Sequence, residues 1–410
     1  MYIADLHIHS KYSRATSKEC VPEYLELWAR KKGISLLGTG DFTHPAWRKE
    51  LWEKLEPAEP GLYTLKKEFQ FPEGPDAQST SVRFVVTGEI SSIYKKNGKV
   101  RKVHNLILLP SLEAAEELSR RLELIGNIHS DGRPILGLDS RDLLETALEA
   151  APEAVFIPAH IWTPHFSLFG AFSGFDSIEE CFEDLTPHIH ALETGLSSDP
   201  PMNWRISALD SYTLISNSDA HSPAKLGREA NLLETELSYF ELANAIQGRN
   251  PDGLLGTIEF FPEEGKYHYD GHRNCHLCLK PSETEQYGGR CPICGKKITI
   301  GVQHRVEQLA DRPEGFVKPN GKAFESLVPL PEVIAASTSH SPASVKVLAQ
   351  YEAMLRCEGF YALNYLNTGA LPVREGSHST SSAGYGTYIC QDGVPIYTLI
   401  LGPGVVSYTH

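Results

Sequence analysis

The sequence contains no apolar run near the ~18 residues that a membrane-spanning helix needs, and no basic-then-apolar leader stands before its first strand. The expectation is a cytoplasmic protein with no membrane partner. An excess of positive charge is also missing. The formal net charge is −14, which argues against a surface coated in nonspecific contacts to nucleic acid, although bound divalent metals would offset several of those charges locally. There is no secretory disulfide framework. Of the eight cysteines, Cys20, Cys181, Cys357 and Cys390 are scattered singly and read as small buried hydrophobes in a reducing compartment. No internal repeat is found.

What is present is an alternation of short β-like and helical runs over the first two-thirds of 410 residues. "IADLHIH" reads as a strand, and "VPEYLELWARKKG" as a helix with Pro22 near its start and Gly33 as its stop. "ISLLGTGDF", "RFVVTGEIS", "KVHNLILLP", "AVFIPAHI", "HIHALETGL" and "YTLISNSDAHS" follow as strands. Repeated β-then-α units predict an α/β fold with a mostly parallel sheet, and this many strands suit a barrel. In "YKKNGKVRK", Asn97-Gly98 marks a type I′ hairpin among five basic residues. The alternation stops near residue 255. The expected organisation is a barrel over 1–258, a cysteine module over 265–305, a connector and helical region over 306–356, and a divergent tail over 357–410.

The chemistry lies in where the polar residues fall. His7 and His9 share one face of the first strand, because side chains alternate with period two. Asp41 closes "LLGTGDF", Glu89 ends "VVTGEI", His104 heads "VHNLILL", His160 ends "VFIPAH", and Asp219 and His221 close "ISNSDAH". Any one of these would pass as a satisfied core or surface residue, and "SDAH" alone would pass as a helix cap. Scattered core histidines should not select strand ends repeatedly, however, and β/α sheets gather active sites at those ends. Clustered carboxylates repel unless cations sit between them. The pattern therefore predicts a polynuclear site for Zn, Mn or Fe. Glu193 in "ALETGL" is a further strand-end candidate or merely a cap.

"CHLC" and "CPIC" supply Cys275, Cys278, Cys291 and Cys294, with residues 279–290 between the pairs. Two such knuckles predict a closed structural zinc site that stabilises a module with little core of its own. A redox-active pair is the competing reading, and the doubling of the motif opposes it.

HxH, a strand-end Asp, "GE", an isolated His, "AH" and "SDAH", in this order, resemble the PHP domain, an α/β barrel that holds metals for phosphoester hydrolysis. The resemblance implies two or three divalent metals (Zn, Mn or Mg). It gives His7, His9, Glu89 and Asp219 to one metal, bridges Glu89 to a second held by His104 and His160, and assigns Asp41 and His221 to a third. Asp219, Glu89 and His221 would form the catalytic set. This chain departs at "TGDFTH", where Asp41 stands in place of the family's usual His and His44 follows three residues later.

With the four-cysteine module and "GVQHRVEQLADRP", the chain over roughly residues 1–330 resembles the endonuclease Q family of repair nucleases. That implies cleavage of DNA on the 5′ side of uracil, hypoxanthine, xanthine or an abasic site. The tail from about residue 357 does not match the family's. Lys11 and Arg14 would hold phosphate oxygens, or be solvated loop charges. Trp162, His165, Phe166 and Phe169, just after His160, would stack a flipped base, or pack in the core. Two other functions compete: a small-molecule phosphatase of the histidinol-phosphate type, which needs neither the zinc module nor the aromatic loop, and a nonenzymatic DNA-binding scaffold, which the complete ligand pattern opposes.

Overall fold

The computed structural model describes residues 1–72 and 81–354 in full, together with the backbone of the strands Tyr385–Ile389 and Pro395–Leu399. The chain divides into two compact units, one of residues 1–72 and 79–333, the other of 73–78 and 334–410. The second unit holds helical residues 345–354 and an antiparallel hairpin pairing Tyr385 with Leu399. Cys357, Cys390 and most of the aperiodic tail lie outside the described residues.

In the first unit the strands are, in chain order, β1 (Tyr2–Asp5), β2 (Ile34–Gly38), β3 (Leu55–Pro57), β4 (Tyr63–Leu65), β5 (Arg83–Lys96), β6 (Lys99–Leu109), β7 (Ile135–Leu136), β8 (Val155–Pro158), β9 (Ala191–Glu193), β10 (Thr213–Ile215), β11 (Ala230–Leu233), β12 (Leu254–Glu259), β13 (Asp270–His272), β14 (Leu277–Leu279) and β15 (Ala323–Ser326). An 11-stranded sheet runs β15-β12-β11-β1-β2-β5 and forks there, to β4 and β3 on one branch and to β6 and β8 on the other, with β7 added beside β5.

The sheet is mixed rather than mostly parallel. β1, β2 and β5 are parallel neighbours, whereas β5–β6, β6–β8, β1–β11 and β11–β12 are antiparallel. The reason is local at the longest pair. Asn97 and Gly98 take φ of 52° and 74°, the double positive φ of a type I′ turn, which folds β5 back on β6 from Lys96↔Lys99 to Val86↔Leu109. Glu89 consequently sits inside a long strand and not at a strand end.

The ladder does not run unbroken into a ring. β9 and β10 form a separate parallel pair. Beyond β8, Ile161 N–H donates to Glu193 O at 3.1 Å. Beyond β10, Leu6 N–H donates to Asn217 Oδ1 at 2.8 Å, Ser216 N–H donates to Asn231 Oδ1, and Asn231 Nδ2–H donates to Ser216 O. Side-chain amides thus take over the backbone pairing that buried N–H and C=O groups require.

Helices α1 (Pro22–Lys31), α2 (Pro45–Lys54), α3 (Leu112–Glu123) and α4 (Ser140–Ala150) cover the sheet. Pro22 and Pro45 occupy first-turn positions, where the missing N–H costs nothing. In α3 the Ser111 hydroxyl accepts from Ala114 N–H, and Leu112, Ala115, Leu118 and Leu122 form its buried stripe. Each such leucine contributes roughly 1.5–3 kcal/mol by leaving water. Cys20 and Cys181 are buried as free thiols. Among the described residues no helix is long and apolar enough to cross a membrane.

Candidate metal centre

After β1 the chain stays extended. Ile8 makes a parallel bridge to Ala220, and His9 N–H donates to Ala220 O at 3.0 Å. Ile8 is buried in the core, so His7 and His9 flank it on the opposite side, and both rings are fully buried.

Each ring is held from behind by a carboxylate. His7 Nδ1 lies 3.0 Å from both oxygens of Glu193, and His9 Nδ1 lies 3.0 Å from Asp41 Oδ1. A carboxylate only accepts, so each Nδ1 carries a proton, which leaves Nε2 as the inward-facing atom whose lone pair a cation can take in place of a proton. His9 Nε2 is 3.0 Å from Asp219 Oδ1 and 3.4 Å from Glu89 Oε2. His7 Nε2 is 3.7 Å from Glu89 Oε2 and 3.8 Å from Asp219 Oδ1, buried and without a hydrogen-bond partner. An orphaned buried nitrogen costs roughly 1–3 kcal/mol. A ring nitrogen facing two carboxylates fits one occupant well, a cation that takes its lone pair and is shared by all three.

Glu89 also serves a second group. Its Oε1 is 2.5 Å from His104 Nδ1 and 3.0 Å from His160 Nε2. The ligand atoms of His7, His9 and Glu89 converge, as do those of Glu89, His104 and His160, and those of His9, Asp219 and His221, each set within 4.8 Å of one another. His160 and Asp219 reach these positions from left-handed backbone, with φ of 30° and 46°.

The electrostatics follow from burial and partners. Burial opposes charge on Glu89, yet His104, Arg133 and His160 hold its carboxyl well below the usual range. Asp219 is held far down by His9 and His7 against the same burial cost. Burial is outweighed at His7 by Glu193 and Glu89, and at His9 by Asp41, Asp219 and Glu89, so both rings are pushed well above the ordinary value. His104 goes the other way, lowered by burial to about 4, which leaves it neutral and available as a ligand at pH 7.

Several expected site residues lie elsewhere. Asp41 does not face the converging donors. Its left-handed φ of 48° turns the side chain onto His9, Ser10 N–H, the Ser10 hydroxyl and the Ser13 hydroxyl, which occupy both oxygens. His44 stands at the N-cap position of α2 without a side-chain capping bond, contacts His129 O and stacks on Tyr12. Lys11 is paired with Glu50 at 2.8 Å, whereas the Arg14 side chain is exposed. Trp162 and Phe169 are core residues. They pack on each other with ring centres 4.9 Å apart, and Trp162 Nε1–H donates to Asn203 Oδ1. Phe166 stays near the site, its ring 4.8 Å from that of His104, and exposed His165 stacks on Phe172 at 4.6 Å.

Two site residues were not singled out from the sequence. Arg133 places Nη1 3.0 Å from Glu89 Oε2. His272 joins Cys275, Cys291 and Cys294 in a fourth convergent set, while Cys278 lies outside it, exposed on β14 opposite Gly271. The signals were slight: an isolated Arg in a turn-like "SDGRP", and a histidine just ahead of a cysteine knuckle.

No family model matches the chain. The uncharacterized protein YqxK of Bacillus subtilis is 31% identical over 327 residues, 76% of this chain and 78% of that protein. The uncharacterized protein MJ0043 of Methanocaldococcus jannaschii is 31% identical over 206 residues, which span 48% of this chain and 25% of that one. The crystal structure of the lesion-specific endonuclease PfuEndoQ from Pyrococcus furiosus is similar with a TM-score of 0.73 at 32% identity, covering 87% of this chain and 82% of that chain. A structure of endonuclease Q with a 27-mer duplex carrying an abasic lesion at its active site gives 0.74 at 31% identity, covering 87% and 83%.

Proposed function

The chain belongs to the endonuclease Q family, and we propose that it nicks DNA beside damaged nucleotides, using divalent metals held around Glu89. The supporting observation is the orphaned His7 Nε2, which faces Glu89 and Asp219 in a buried pocket whose other nitrogens converge on the same carboxylates. We read the sheet with its β9–β10 insert as a distorted PHP-type barrel, completed through Asn217 and Asn231.

In this reading His7, His9, Glu89 and Asp219 would hold one metal, and Glu89 with His104 and His160 would hold a second. His221 with His9 and Asp219 would hold any third. Bound metals would supply Lewis acidity and a nucleophilic water at neutral pH. The residues do the rest. Glu193 and Asp41 fix the tautomers of His7 and His9, so that lone pairs and not N–H groups point inward. Ile8 and Ala220 close the floor against bulk water. A separate zinc would be structural, held by Cys275, Cys291 and Cys294 with His272 as the nearer fourth donor and Cys278 the alternative.

The substrate reading extends to deaminated bases. Cleavage is expected on the 5′ side of uracil, hypoxanthine or xanthine as well as of an abasic site, in keeping with family relatives described as lesion-specific and as bound to an abasic duplex. Incubating labelled duplexes that hold a single lesion with Mg²⁺, Mn²⁺ or Zn²⁺ tests this. A nick immediately 5′ of the lesion, abolished in Asp219→Ala, is the expected result. Turnover of a phosphate monoester with no nick under any metal would instead make the protein a small-molecule phosphatase.

A further inference from the structure

We propose that Arg133 is the phosphate clamp of the site, resting on the reading of the Glu89 cluster as a phosphoesterase centre. Among the described residues its guanidinium has a single bonded partner, Glu89 Oε2 at 3.0 Å through Nη1. The side chain is a quarter exposed while Glu89 is fully buried, so the arginine bridges the carboxylate cluster and the solvent. An arginine offers five donors in a rigid fork and does not give up its charge. Most of this fork is left for a ligand.

The backbone beneath it is pinned from three directions. Gly132 N–H donates to Tyr12 O at 3.0 Å, and Arg14 N–H and Arg133 N–H both donate to Asp131 Oδ1, tying the segment to the loop after the HxH strand. The Thr43 hydroxyl donates to Gly132 O from the loop after β2. Ser91 N–H donates to Pro134 O at 3.0 Å, two residues along β5 from Glu89. A guanidinium this firmly based has a defined reach, which is what recognition of a tetrahedral anion needs.

Glu89 alone is a poor final partner. Divalent cations held around that carboxylate would compete for its oxygens and weaken its hold on the guanidinium. The anion whose non-bridging oxygens suit the freed fork is a phosphodiester. In hydrolysis the oxygen of water joins phosphorus, the bond to the 3′ oxygen breaks, and a proton from the water ends on that departing oxygen. Arg133 transfers no proton. It bonds the non-bridging oxygens as their negative charge grows, so its contribution is to kcat rather than to DNA affinity, which many other phosphate contacts share.

The test compares full-length Arg133→Ala and Arg133→Lys with the wild type, all loaded with manganese. Metal content is expected to be unchanged. The dissociation constant for inorganic phosphate, read by calorimetry without DNA, should rise at least ~10-fold in Arg133→Ala, with Arg133→Lys between. Single-turnover nicking of a lesion duplex should fall roughly 10²–10³-fold, as when a preorganised donor is removed, and added guanidinium should restore part of it. Loss of metal in the alanine variant, or phosphate affinity equal to wild type, overturns the proposal. If the wild type nicks no lesion duplex, the lesion reading fails while the phosphate measurement still decides the role of Arg133.

Discussion

Glu193 presents both oxygens to His7 Nδ1 and also accepts from His160 N–H at 2.8 Å and Asn217 Nδ2–H at 2.9 Å. One buried carboxylate therefore sets the tautomer of His7 and the backbone carrying His160. Its third partner, Asn217, is also the residue that bridges β10 to β1, so the site's geometry and the sheet's continuity share a side chain. Glu193→Gln keeps the volume but places an amide N–H₂ where an acceptor stood, and His7 loses part of the bias that turns its lone pair inward. Metal affinity is expected to fall ~10–100-fold, as when other partners behind a ligand are changed. Competition against a chromophoric chelator measures it. An unchanged affinity would mean that His7 needs no partner behind it.

At the scale of elements, the segment that carries Arg133 works because Gly132 has no side chain. A Cβ there would lie 2.3 Å from Asp41 Oδ2 and 2.6 Å from the Ser13 hydroxyl, on the two side chains that steady His9. Gly132→Ala must push the segment outward, with a stability loss of about 1–3 kcal/mol for overpacking and a fall in nicking rate. Gly137→Ala, where the new carbon meets nothing within 4 Å, is the control. Equal melting temperatures and rates in the two variants would show that the segment yields freely. The same region explains what could be read from the sequence. HxH spacing and the Asn97-Gly98 turn are local rules, and His7, His9, Glu89, His104, His160, Asp219 and His221 do converge as their order suggested. Arg133 arrives through long-range bonds to Tyr12, Thr43 and Ser91, which leave no periodicity in the chain. Asp41 follows β2 by three residues, and its left-handed φ, which no pattern in the chain announces, turns it onto His9, Ser10 and Ser13. Trp162 and Phe169 share their segment with Phe166, and only packing separates the ring beside His104 from the two in the core.

For the whole molecule, the most telling groups are buried carboxyls outside the metal cluster. Glu259 is fully buried, where Thr257, Thr194 and Ser216 hydroxyls contact it, and burial pushes its pKa from 4.5 up to about 8. Glu229 is raised in the same sense by burial and by Glu259 itself. A carboxyl whose folded pKa lies above its unfolded one binds protons more tightly in the native state. Its stabilisation is complete below about pH 4.5, and it is lost as pH rises through about 8. Each tenfold gain in proton affinity on folding is worth about 1.4 kcal/mol. The paired carboxylates pull the other way, since Glu89 and Asp219 have depressed values and their support disappears only in acid. Glu259→Gln mimics the protonated form at every pH. At fixed metal concentration its melting temperature should stay close to that of the wild type at pH 5 and exceed it increasingly between pH 6 and 9. Parallel melting curves across that range would show that Glu259 is ionised in the native protein at neutral pH, and that the hydroxyls around it, acting as donors, outweigh its burial.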